Sequence, residues 1–87
     1  MKAYEAVVAV PTVINFLSDL GTPAKRGSSI ANPGEADFRI RLTLGNETRA
    51  PLTIPAGVRW LLMSNVDRVE ILPGLDGDAW YQLLVTS

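Results

Sequence analysis

"FRIRLTLGNETRAPLTI", residues 38–54, decides the fold class. In its first half Phe38, Ile40, Leu42 and Leu44 alternate with Arg39, Arg41 and Thr43. A period of two puts the first set on one face of a strand and the second set on the other. Gly45-Asn46-Glu47 then turns the chain. A two-residue loop would set Leu44 opposite Glu47 and throw Leu52 and Ile54 onto the arginine face. A three-residue loop sets Leu44 opposite Thr48 and aligns Leu52 and Ile54 with Ile40 and Phe38. Burial therefore selects the longer turn, with a bulge. Pro51 lacks an amide hydrogen and, with Pro55, marks residues 48–54 as an edge or bulged strand.

Outward from this hairpin the chain reads as more strand. "YEAVVAV" (4–10), "VRWLLMS" (58–64), "RVEIL" (68–72) and "AWYQLLVT" (79–86) are separated by turn residues, among them Asn65, Pro73-Gly74 and Asp76-Gly77. Short strands so punctuated predict a mainly β fold, a small antiparallel sandwich or barrel of about six strands. One short helix is expected within "PTVINFLSDLG" (11–21). There Val13, Phe16, Leu17 and Leu20 share a helical face, Thr12 can cap the start and Gly21 can supply the left-handed exit. The β-branched pair Val13 and Ile14 leaves a strand as the alternative. Residues 21–36, "GTPAKRGSSIANPGEA", read as a long loop with Ile30 as its aliphatic anchor. Loops of this length are functional or mobile, and this one is expected to be either an arm that orders against a partner or a solvated connection between helix and strand.

The chain of 87 residues is expected to form a single domain, 1–87. At that size folding hides only roughly 60–65% of the unfolded surface. With 47% hydrophobic and 20% charged residues, disorder over most of the length is excluded. The apolar runs Ala6–Val10 and Trp60–Met63 are too short to cross a bilayer, and the N-terminus is read as mature protein. Net charge is −1, and no basic stripe offers to displace counterions from a nucleic acid; Lys25-Arg26 reads as a solvated loop tip. Cysteine and histidine are both absent. Thiol chemistry is excluded, and the commonest general base and metal ligand are missing. Asp76 and Asp78 are too few for calcium, which takes ~6–8 oxygens. Ser28 and Ser29 have no local base, and the sequon Asn46-Glu47-Thr48 lacks a secretory context. The expectation is a chain with no catalytic residue, no cofactor and no metal.

What it has in surplus is apolar strand face. Trp60 and Leu62 share one side of their strand, while Leu61 and Met63 share the other with Arg59. Likewise Trp80, Gln82 and Leu84 oppose Ala79, Tyr81, Leu83 and Val85. Two strands apolar on both sides are too many for so short a chain to cover, so a neighbour is expected on one side. The candidate interface residues are Ile30, Arg39, Arg41, Trp60, Leu61, Met63 and Trp80. Burial of both faces within the domain itself and a ligand platform built on the tryptophans are the competing readings.

The strand–corner–strand "LTIPAGVRW" (52–60) and the final strand "AWYQLLV" (79–85) resemble those of small β-rich proteins of tailed-phage particles, the capsid decoration or cement subunits. The resemblance implies a non-enzymatic homo-oligomer, often a trimer, clamped on the outside of a capsid shell and located in the virion. Without it, the expected location is cytoplasmic. The alternative function is a carbohydrate- or receptor-binding β module, which requires an exposed tryptophan beside polar groups.

Overall fold

The computed structural model describes residues 2–74 and 79–86. Its strands are β1 (Lys2–Val8), β2 (Thr12–Asn15), β3 (Ser29–Ala31), β4 (Phe38–Leu44), β5 (Glu47–Thr48), β6 (Leu52–Ile54), β7 (Arg59–Leu61), β8 (Arg68–Leu72) and β9 (Ala79–Val85). One short helix, α1 (Phe16–Leu20), follows β2. The first sheet runs β1-β9-β3-β7; the second runs β2-β8-β4-β5, with β6 also on β4. Every pairing is antiparallel. If β5 and β6 are taken as one interrupted strand, each sheet has four strands and the chain repeatedly crosses between them. That order is a double-sheet jelly roll, a sandwich rather than a closed barrel. The core lies between the sheets, where Phe16, Phe38, Ile40, Ile71 and Val85 are all fully buried. No helix among the described residues is long and apolar enough to cross a membrane.

The helix is shorter than the spacing of apolar residues predicts. Thr12–Asn15 is a strand paired with β8, so Val13 is exposed and not on a helix face. The β-branched pair prevails because β8 offers it a ladder. Asn15, not Thr12, caps α1, its side chain accepting from the Ser18 N–H at 3.2 Å. Gly21 ends the helix in the left-handed conformation, as expected.

The 38–54 hairpin combines both registers considered for it. The turn is the two-residue one, with Leu44 opposite Glu47 and Thr43 opposite Thr48. Leu52 and Ile54 nevertheless face Ile40 and Phe38. The Arg49 N–H still bonds the Leu42 carbonyl at 2.8 Å in the first register, so the extra residue enters at Ala50-Pro51. A bulge there sacrifices no donor, because proline has none. Gly45 takes φ +62° at the first central position of the turn, where a type II′ hairpin requires glycine.

The expected arm at 21–36 is instead built into the sandwich. Ala24 and Val66 exchange both backbone hydrogen bonds at 2.9 Å, and β3 lies between β7 and β9 in the first sheet. Ile30 is 1% exposed, a core residue with no surface to offer a neighbour. Its polar neighbours are satisfied where they are buried: Ser28 Oγ accepts from the Thr86 N–H at 3.0 Å, and Arg59 Nη1 donates to Ser29 Oγ at 3.0 Å. Lys25 and Arg26 are exposed, as a loop tip should be, but the backbone beneath them is fixed. The amides of Lys25, Arg26 and Gly27 bond Thr86 O, Asn65 Oδ1 and Leu62 O respectively. Trypsin should therefore cut here only when the whole domain opens. Mass spectrometry of a digestion time course checks this, and early cleavage after either residue would show that the segment opens alone.

Gly74 does not show the positive φ that a type II turn at Pro73-Gly74 would require. The Asp76-Gly77 turn and the Asp76/Asp78 pair lie outside the described residues.

Candidate interaction surface

Ladder register sorts the first sheet into rows. Glu5, Gln82, Ala31 and Arg59 are mutual cross-strand partners and form one row from β1 to β7. Ala3, Leu84, Ser29 and Leu61 form the next row, and Val7 with Trp80 a third. All lie on the outer face, since Ala79, Tyr81, Leu83 and Val85 take the buried side of β9. A polar row is thus flanked by two largely apolar ones. Val7 is 62% exposed, Leu61 54% and Trp80 40%, with Met63 at 69% just past the end of β7. Ser29 and Ala31 are nearly buried although they belong to this face. They are small and are covered by longer neighbouring side chains, Arg59 Nη1 reaching Ser29 Oγ at 3.0 Å.

The outer face of the second sheet is different in kind. Arg39 is exposed, and Arg41 Nη1 pairs with Glu70 Oε1 at 3.1 Å. Both arginines thus point away from the core, as the alternation predicts. Around the pair, Thr43, Thr48, Arg68 and Val13 shape a shallow depression of about 220 Å³. A partly exposed ion pair of this sort contributes only ~0–1 kcal/mol, so this face is solvated polar surface by default.

A third feature is an open cleft of about 370 Å³ lined from both sheets by Trp60, Leu42, Leu44, Leu52, Leu62 and Met63. Trp60 points inward, opposite Ile30, and is half-buried. Only Arg49 and Ser64 bring polar side chains to the lining. Such walls suit an apolar occupant better than a sugar, which needs polar groups beside the ring.

The candidate residues therefore do not converge. Leu61 and Trp80 share the outer face of the first sheet, with Met63 at its margin. Arg39 and Arg41 are on the second sheet, while Ile30 and Trp60 face inward. Sequence reasoning missed Val7, Glu5 and Leu84. The run "AVVAV" has no alternation from which the outward position of Val7 could be read.

The Tyr4 phenol is held above its ordinary pKa by desolvation first, then by its hydrogen bond to Asp19 Oδ2 (3.0 Å) and by nearby negative charge. Burial raises Tyr81 as well. Both shifts move the hydroxyls further from neutrality, opposite to what a general base requires. Among the described residues no group of three or more acidic, histidine or cysteine side chains is placed to hold a metal ion.

No protein-family model matches the sequence, and no curated protein matches it. Among solved structures, the chain is similar to a hydroxypropylphosphonic acid epoxidase from S. wedmorenis in complex with fosfomycin. The TM-score is 0.60 at 9% identity, over 97% of this chain and 42% of that one. At that identity the likeness shows a shared fold, and this chain spans less than half of the epoxidase's length.

Proposed function

We propose that the chain is a non-enzymatic assembly subunit, of the capsid decoration or cement type, that attaches through the outer face of the first sheet. The observation that carries this reading is the exposed set Val7, Leu61 and Trp80 on one continuous sheet face. Large apolar side chains exposed on both sides of a polar row, on one sheet face, suit a contact site. The lack of histidine and cysteine supports the non-enzymatic part, because it removes the residues most often used as base, nucleophile and metal ligand. The jelly roll supports the virion part only as architecture, since this fold also serves lectins and other binding proteins.

Trp80→Glu tests the reading. It should abolish self-association or attachment in light scattering while the chain stays folded, at a cost of ~1–3 kcal/mol for the part of the indole that its own sheet covers. Particles encoded by the same genome should contain the chain in fixed proportion to the shell subunit. A wild-type chain that is monomeric at all concentrations and absent from such particles would sink the proposal.

A further inference from the structure

We infer that the outer face of the first sheet docks against the same face of a second copy of this chain, about a two-fold axis parallel to the strands. This presupposes that the face is the contact proposed above, and it adds the partner and the symmetry. The polar row carries Glu5 on edge strand β1 and Arg59 on edge strand β7, with Gln82 and Ala31 between them. Three strand spacings of ~4.8 Å put the two charges on opposite margins, roughly 14 Å apart.

An axis along the strands, between β9 and β3, lays each row over itself in reverse order. Glu5 of one copy then meets Arg59 of the other, twice, in exchange for the bonds that Gln82 Nε2 gives Glu5 Oε2 (3.3 Å) and Arg59 Nη1 gives Ser29 Oγ (3.0 Å) within each chain. Aligned sheets pack ~10 Å apart, a gap that a Glu and an Arg side chain together can span. The same operation sets large side chains over small ones: Leu84 over Ser29, Leu61 over Ala3 and Gln82 over Ala31. Ser29 lies under the Arg59 guanidinium in the single chain and is uncovered for Leu84 as Arg59 turns to the partner copy's Glu5.

A two-fold axis in the same plane but across the strands would oppose Glu5 to Glu5 and Arg59 to Arg59. The charge pattern selects the first axis. A face that meets itself is isologous and closes as a dimer, whereas a ring of three needs two different patches. Even-numbered assembly follows, in place of a trimer built on this face.

The test is charge reversal. Glu5→Arg and Arg59→Glu should each weaken self-association about tenfold, because two attractive pairs become two repulsive ones. An equimolar mixture of the two variants should regain the wild-type affinity in analytical ultracentrifugation, and so should the double variant. Should Arg59→Glu not fold, Glu5→Gln serves instead, and it should remove most of the salt dependence of wild-type association. A mixture no better than its components, a salt response unchanged by Glu5→Gln, or a wild-type trimer would overturn the two-fold pairing. If Trp80→Glu still disrupts assembly in that event, the face stands and only the symmetry is wrong.

Discussion

Gly74→Ala should cost ~3 kcal/mol or more of folding stability, a large part of what a domain this size possesses. A Cβ on Gly74 would lie 1.8 Å from the Asp37 carbonyl oxygen and 2.9 Å from its carbonyl carbon. Both are backbone atoms, so no flexible side chain can swing aside. Asp37 directly precedes β4, and Gly74 follows β8 by two residues. These strands pair through Arg39–Leu72 and Ile40–Ile71, and making room for a methyl group means prising that end of the ladder apart beside the fully buried Phe38. Urea denaturation followed by tryptophan fluorescence measures the loss. A wild-type midpoint would show that the Asp37 peptide can move freely.

Asn32→Ala should lower stability by ~3 kcal/mol, or about 15 °C in melting temperature. Asn32 is 1% exposed and acts as a buried knot. Its Nδ2 donates to the Ala36 carbonyl at 2.8 Å and the Ile54 carbonyl at 2.9 Å, while its Oδ1 accepts from the Gly34 N–H at 3.2 Å. Its own N–H and carbonyl bond Val58 O and the Gly57 N–H. One side chain thus fastens the exit of β3 to the end of β6, and so ties the two sheets together. Alanine removes three hydrogen bonds and strands the buried Ile54 carbonyl. Asn32→Leu restores most of the volume and none of the bonds, so it should be about as damaging. A leucine variant melting close to wild type would reassign the role of Asn32 from bonding to packing.

Where a strand is half-buried, its sequence announces it. The alternation through Phe38–Leu44 sorted inward from outward side chains, while in Ala79–Val85 it separated the two faces without telling which is buried. Ile30 was illegible because its strand is three residues long and set among serine, asparagine, glycine and proline, the residues of a loop. What makes Ser29–Ala31 a strand is the pair of distant partners, β7 and β9, that local composition does not reveal. The start of α1 failed for a related reason, since the pairing of Thr12–Asn15 with β8 overrides a four-residue helical pattern. The candidate site was legible only strand by strand. Alternation tells which side of a strand is wet, but not which sheet the strand joins. Residues read as one interface therefore dispersed, and the row joining Glu5 to Arg59 emerged only from the strand order.

That order also governs how the chain can come into being. β9 follows every other described strand in the sequence, and among the described residues it is the sole link between β1 and the rest of the first sheet, and it flanks β3 as well. Until residues 79–85 have left the ribosome, β1 has no partner there and β3 has only the three-residue β7. The β4–β6 hairpin can form early because its contacts are local, but the sandwich can close only once β1 and β9 meet. Closing so large a loop is slow, in the millisecond-to-second range usual for β topologies of this kind. A nascent or truncated chain would meanwhile leave Val8 and Ile30 uncovered, open to aggregation and to proteases. Such a sandwich cannot close strand by strand as it is made; it waits for β9.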